Sequence, residues 1–530
     1  MTSENIASPA VPEQRPAALT IRAIIAGLML AMFLAALDQT IVATALPTIG
    51  REIGNPEDLS WAITAYLLAS TTVTPLYGKL ADVYGRRVML MTAIGIFTLG
   101  SVACALAPSM TMLALARALQ GMGGGGLIST SQTIIADLIP PRERSRVQGY
   151  FASVFAIASV VGPVTGGVMA EHLHWSVIFW INVPLGGLAW WMTSGSLKAL
   201  PRHDRRHRID VVGALLMVAA SVPLLLALAW GGIRYPWASP VILFLALVSA
   251  VGWVLFTIRM LLTPEPFLPV SIVANRVVGP AMMTGFFAAG TLIALTIYVP
   301  VYLQVGLNAT ASHSGLALMP LAGGVVVGSA LSARYMARIV HYKTPALIGL
   351  AIAIGALGIF AAAPLRLPMA AIYVLLGVIG AGIGSVFSLT TVSIQNAVVP
   401  HQTGLATSAL NFFRSLGSAI LVAGFGAIVL GGLGINARNE ISFDSAVFDT
   451  AREAGLLTHP FRWLFIAAAA GLSLAFACLY AMEERPLRTH IAQAAARTKA
   501  SGSAAAGKEP PREPAIDRKR AGAAREDEAE

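Results

Sequence analysis

Fourteen apolar stretches, each about twenty residues or more, recur along this 530-residue chain. A helix rises about 1.5 Å per residue, so about 20 apolar residues span the roughly 30 Å of hydrocarbon in a bilayer. Inside that layer only a helix or a closed barrel satisfies every backbone N–H and C=O. The stretches lie near 22–46, 60–80, 88–107, 110–137, 147–170, 175–198, 209–230, 238–260, 277–303, 313–336, 344–363, 369–399, 403–430 and 461–482. They predict an all-α integral membrane protein with 14 transmembrane helices and exclude the string of soluble domains that length alone would allow. Composition agrees, because charged residues make up 12% where soluble chains carry about 25%. Cys104 and Cys478 both sit in apolar runs and read as small hydrophobes, which leaves no disulfide framework or zinc site.

The net charge of +10 would suggest nucleic acid as a partner in a soluble protein. Here the basic residues fall in alternate loops, which is the signature of the cytoplasmic side. Lys79, Arg86 and Arg87, then Arg142, Arg144 and Arg146, then the cluster from Lys198 to Arg208, then Arg259 and Arg276, and then Arg334, Arg338 and Lys343 occupy one set. The other set holds only scattered Arg51, Arg234, Arg366, Arg438 and Arg452. Both termini are therefore expected in the cytoplasm, in a multi-pass protein of the inner membrane. The first 20 residues are polar and precede an apolar run too long for a signal peptide. The loop near 432–460 is expected outside. The tail after Met482, rich in Ala, Lys, Arg, Glu and Pro, is expected to be disordered.

Several residues within or beside the spans are too costly or too specific to be filler. The first span carries Asp38 followed by Gln39, and the fourth carries Arg117 followed by Gln120. A carboxylate in hydrocarbon needs a partner. At 1.5 Å per residue Asp38 lies about 12 Å and Arg117 about 10 Å inside the same boundary, so the two can meet. Read without reference to transport, they form a structural ion pair. The loop after the second span reads Gly78-Lys-Leu-Ala-Asp82-Val-Tyr-Gly85-Arg86-Arg87. Its glycines permit close approach and a tight turn, and Asp82 can accept hydrogen bonds from a neighbouring helix end. The fifth span contains Gly162-Pro163-Val-Thr-Gly166-Gly167, where small residues let helices pack backbone to backbone and Pro163 removes a helix hydrogen bond. The sixth opens Trp175-Ser-Val-Ile-Phe179-Trp180-Ile-Asn182-Val-Pro184, and a later span carries Asn411-Phe-Phe-Arg414-Ser415. No Asp or Glu occurs between Glu265 and Glu440. Arg414, near the midplane, must therefore face a cavity, an anion or a remote carboxylate.

The Gly78–Arg87 string resembles the signature between the second and third helices of the major facilitator superfamily, with Val83 where a basic residue is usual. The Gly162–Gly167 string resembles the antiporter motif of its drug exporters, and the sixth-span and Asn411–Arg414 strings are similar to its fourteen-helix drug:proton antiporter branch. Ala158, Ser176 and Ser415 depart from that pattern. The resemblance implies two six-helix bundles, over 21–198 and 277–482, with two inserted helices and their loops over 199–276. It leaves a cytoplasmic segment over 1–20 and the tail over 483–530. It implies proton-coupled efflux of drugs or other amphipathic small molecules, with Asp38 and Arg117 in proton coupling. Conformational gating falls to Gly78, Asp82, Gly85, Arg86, Arg87, Gly162, Pro163, Gly166 and Gly167. Gln39, Gln120, Asn411 and Arg414 are expected in the substrate cavity, and Phe286, Phe287, Tyr298, Tyr302, Phe412 and Phe413 could add an adaptable apolar lining. With no second deep carboxylate, dications are expected to be poor cargo, and neutral, singly cationic or (through Arg414) anionic compounds are expected to be preferred. A dedicated exporter of one metabolite, a proton-coupled importer and a non-transporting membrane receptor are the rival readings. No triad spacing, metal cluster, phosphate loop or cofactor motif points to an enzyme. The expected partners are a small-molecule substrate, protons and the lipid bilayer. A periplasmic adaptor and an outer-membrane channel are further candidate partners.

Overall fold

A computed structural model describes residues 18–53, 59–197, 210–232, 234–264, 266–338, 341–432 and 458–486. Most of the expected external loop, most of the tail, the Lys198–Arg208 cluster and the first 17 residues lie outside the described residues. The described chain is helical apart from one isolated bridge between Gly231 and Tyr235. Its elements are α1 (Ala18–Ile53), α2 (Leu59–Tyr84), α3 (Arg86–Ala105), α4 (Met110–Leu138), α5 (Pro141–His172), α6 (Val177–Trp180), α7 (Asn182–Ser196), α8 (Val211–Trp230) and α9 (Pro240–Leu262). They continue with α10 (Val270–Val273), α11 (Val278–Val301), α12 (Ala311–Leu316), α13 (Leu318–Arg338), α14 (Thr344–Ala362), α15 (Met369–Ala397), α16 (Thr403–Gly432) and α17 (Thr458–Ala481).

Every expected span falls on a helix or a helix pair. Eleven helical stretches among the described residues are long and apolar enough to cross a membrane. The remaining three expected spans coincide with α2, α4 and the broken pair α6–α7. α2 and α4 are diluted by Ser, Thr and Gly, and by Asp82 and Arg117. The sixth is interrupted at Ile181, between Trp180 and Asn182. Many polar residues there are buried among helices or line the central space between the halves, so low hydropathy marks a position within the protein and not against lipid. Side-chain caps fix several starts: Ser109 accepts from Met112 N–H, Ser239 from Ile242 N–H ahead of Pro240, and Thr310 from His313 N–H.

The same pairings recur in the two halves of the chain. α1 packs on α5, α2 on α4, α3 on α4 and α7; correspondingly α11 packs on α16, α13 on α15, and α14 on α15 and α17. Across the seam between the halves, α2 meets α16 and α5 meets α13. Close approach explains the glycine run Gly123–Gly126 and the neighbouring Gly121. A Cβ on Gly121 or Gly125 would strike the backbone of α2 at Tyr66 or Ser70, and one on Gly123 the backbone of α3 at Phe97. α4 is thus wedged between two helices at backbone distance.

Between the halves, α8 and α9 pair through Ser249, whose Oγ donates to the Ala220 carbonyl at 2.8 Å. α8 then rests on both α2 and α16, where Leu225 joins Phe412 and Leu416. The start of this hairpin is tied by Asp210. Its side chain, 3% exposed, accepts from Gly213 N–H at 3.0 Å, Arg259 Nε at 3.2 Å and Nη2 at 3.1 Å, and Phe267 N–H at 3.3 Å. Burial alone would raise its pKa, but the two backbone N–H groups and the guanidinium outweigh it and hold the carboxyl below the usual range. A depressed native pKa stabilises the fold above the unfolded value of about 3.9 and is lost as pH falls through the native one. Asp210→Ala should therefore destabilise the purified protein by roughly 1–3 kcal/mol at neutral pH. The gap in melting temperature between variant and wild type should close as pH falls below about 4.

Candidate functional site

A cavity of about 1850 Å³ runs between the two halves. Gln39 and Thr40 of α1, Pro163 of α5, Ala289 to Tyr298 of α11 and Leu318 to Val325 of α13 line its sides. Gly426 of α16 and Trp237, beyond α8, stand toward the end where α1 finishes, and Gln132, Phe387, Ser388, Asn411 and Arg414 form its inner end. The lining is mostly apolar, with hydroxyls and amides interspersed.

At the inner end the halves close on each other. Asn411 Nδ2 donates to Gln132 Oε1 at 2.9 Å, and Ser129 bonds Ser408. Gly78 lies where a Cβ would strike Ser408 and the Gly404 carbonyl, so α2 and α16 touch at backbone distance. Asp82 then caps α16 across the seam: Oδ2 accepts from Leu405 N–H at 3.1 Å, while Arg86 pairs with Asp82 and reaches Asp137 Oδ2 through Nε at 2.9 Å. Gly85 supplies the turn into α3 with φ 95°, a left-handed value that favours glycine. Arg87 is half-buried and joins no ion pair among the described residues.

Asp38 is fully buried and does not line the cavity. Its Oδ2 accepts from Arg117 Nη1 at 2.5 Å; its Oδ1 accepts from Gln120 Nε2 at 2.8 Å and Asn182 Nδ2 at 3.0 Å. Arg117 is held in turn by the Ala62 carbonyl at 2.8 Å and by Gln120 Oε1 at 2.6 Å, with its guanidinium 4.3 Å from the centre of the Tyr66 ring. Four elements, α1, α2, α4 and α7, thus converge on one charge pair. Thr40, two residues on, faces the cavity and donates to the Ala158 carbonyl of α5 at 3.0 Å. The space for it comes from Gly162, where a Cβ would strike the Thr40 side chain. Gly166 is buried, and Gly167 has open space around its Cα.

The structure brings Asp38 and Arg117 together, and it puts Gln39, Asn411 and Arg414 on the cavity wall. Gln120 is elsewhere: it belongs to the carboxylate cluster, bonded also to Ser101 Oγ at 2.7 Å, and does not line this cavity. Of the six expected aromatic residues only Tyr298 lines the cavity. Tyr302 is packed into a ring cluster with Phe360, Phe461 and Phe465, and Phe412 lies 6.3 Å from Trp253 of the inserted hairpin. Sequence reasoning gave no role to Asn182 and Tyr66. The signal for Asn182 was an amide beside Pro184 within an apolar span; for Tyr66, nothing distinguished it from a lipid-facing tyrosine.

Among solved structures the chain is similar in fold to the human organic anion transporter MFSD10, with a TM-score of 0.56 and 15% identity over 88% of this chain and 100% of that one. It is likewise similar to a bacterial homologue of the iron transporter ferroportin, with a TM-score of 0.59 and 12% identity over 88% of this chain and 99% of the other. Among characterised sequences it is 33% identical over 406 residues to the multidrug transporter protein MdtP of Bacillus subtilis, covering 77% of this chain and 75% of that protein. It is 32% identical over 429 residues to the efflux pump FUS6 of Gibberella fujikuroi, covering 78% and 76%. The Major Facilitator Superfamily model matches residues 28–422; with the helical pairing and central cavity above, this chain belongs to the major facilitator superfamily of transporters.

Proposed function

We propose that the protein is a proton-coupled antiporter of the fourteen-helix drug-exporting branch, acting in the cytoplasmic membrane with both termini inside. Its working parts are two six-helix bundles over 21–198 and 277–482, rocking about the central cavity, with α8 and α9 inserted between them. The observation that carries this reading is the buried Asp38 cluster beside a large amphipathic cavity that is closed at one end. By the distribution of basic residues, the closed end is cytoplasmic and the cavity faces outward.

In this arrangement Asp38 is sealed from the cavity, so it exchanges no proton with cargo space directly. Thr40 and Gln39 connect it mechanically to the wall: cargo pressing on that face of α1 moves the helix that carries Asp38. Protonation removes the charge that holds Arg117 and Asn182, which loosens α1 from α4 and α7. Asp82 and Arg86 stabilise the closed cytoplasmic end and contact no cargo. Relatives named for multidrug transport and efflux support drugs or similar amphipathic molecules as cargo.

Asp38→Asn keeps the shape but cannot titrate, and it should abolish proton-driven export in everted vesicles. Leaving Arg117 unpaired costs about 3–5 kcal/mol in a buried site, so membrane insertion is measured alongside. Substrate-induced proton release from purified protein is the deciding readout; release that persists in the variant would remove Asp38 from the coupling.

Asp82→Asn weakens charge-assisted bonds worth about 1.5–3 kcal/mol each. It should slow transport about tenfold while substrate affinity changes less than about twofold. An equal loss of binding would move Asp82 into the cargo site.

For topology, reporter fusions at Arg205 and in the C-terminal tail should read cytoplasmic and one at Asn439 external. An external tail would contradict the count of fourteen.

A further inference from the structure

The cavity has one charged lining residue. Among the described residues, Arg414 is the single Asp, Glu, Lys, Arg or His on its wall. Nη2 donates to Thr390 Oγ1 at 2.8 Å, the Phe387 carbonyl at 3.0 Å and Thr391 Oγ1 at 3.1 Å, while Nη1 reaches only Asn411 Oδ1, at 3.5 Å. Nε is buried without a hydrogen-bond partner. The guanidinium carbon sits 5.1 Å from the centre of the Phe387 ring. These neighbours are dipoles and a ring face. They orient the cation and leave its charge uncompensated, and no acidic residue of the same half of the described chain reaches it.

We propose that the inner end of the cavity is an anion subsite, in which Arg414 receives the carboxylate, sulfonate or phenolate of an amphipathic organic monoanion whose apolar body lies along α11 and α13. A guanidinium presents its N–H donors as a planar fork that matches such groups in two-point fashion. Asn411, Gln132, Ser388 and Ser415 line the same end and supply further amide and hydroxyl hydrogen bonds. A monocation, by contrast, would enter a low-dielectric space that already holds an unneutralised positive charge and offers no carboxylate. This inference rests on the reading of the cavity as the cargo site and narrows it to a charge class.

The test uses the full-length protein in nanodiscs and three dansyl amphiphiles sharing one alkyl chain, ending in sulfonate, neutral amide or trimethylammonium. Binding is read by energy transfer from tryptophan. The sulfonate should bind at least about tenfold more tightly than the trimethylammonium probe, with the amide between them. Arg414→Gln should abolish that ranking, removing the advantage of the sulfonate over the amide and trimethylammonium probes. Arg414→Lys, which keeps the charge and loses the fork, should retain the ranking at reduced sulfonate affinity. Equal affinities for all three probes, or tightest binding of trimethylammonium, would overturn the anion subsite and leave the cargo cavity standing. Saturable binding of none of them to the wild type would overturn the cargo reading itself. The wild-type ranking decides the matter even if a variant does not insert.

Discussion

Hydrocarbon offers helices no hydrogen bonds and little hydrophobic reason to associate, so this protein is held together by how closely its backbones approach. α4 shows the constraint most directly. Its glycines let it lie against α2 and α3 at once, and that double contact carries Arg117 and Gln120 to the depth of Asp38. The same device recurs at the seam, where Gly78 and Gly404 bring α2 and α16 within reach of the Asp82 cap. A larger side chain at these positions would separate the helices and leave charged groups facing lipid or one another.

Much of this was legible before any coordinates. Helix positions followed from apolar runs, because most residues facing lipid or a neighbouring helix are apolar either way. The Asp38–Arg117 pair followed from depth, since two helices entering from one side place residues at countable distances. What failed depended on helix rotation. Gln120 lies three residues from Arg117, on the same face, and therefore points to Asp38 and not to the cavity. Tyr302 and Phe412 are aromatic like true lining residues, yet the first is turned into the core of the second half and the second toward α9. Asn182 is brought to Asp38 by the break between α6 and α7, and no periodicity announces a break of that kind.

The charges within the bilayer are few, and they divide between two environments. Asp38 and Arg117 neutralise each other behind the wall; Arg414 is the one charged residue on it among the described residues. On the proposed reading, keeping the buried acid apart from the cavity lets each respond to its own ligand, with the α1 backbone as the link. Were the proposed anion to leave as a proton enters, the two would displace charge in the same electrical sense, and a membrane potential would act on both at about 2.3 kcal/mol per charge per 100 mV.

The inserted hairpin has a consequence for traffic from the bilayer. The two halves meet along α2–α16 and along α5–α13, and each line of contact is a potential side door for a lipid-dissolved molecule. α8 lies over the first, anchored to both α2 and α16 by Leu225 and its neighbours. That door is shuttered, whereas no inserted helix packs across the α5–α13 line among the described residues. A symmetric pair of halves thereby acquires a front and a back, and molecules arriving laterally meet one flank that is barred and one that is not.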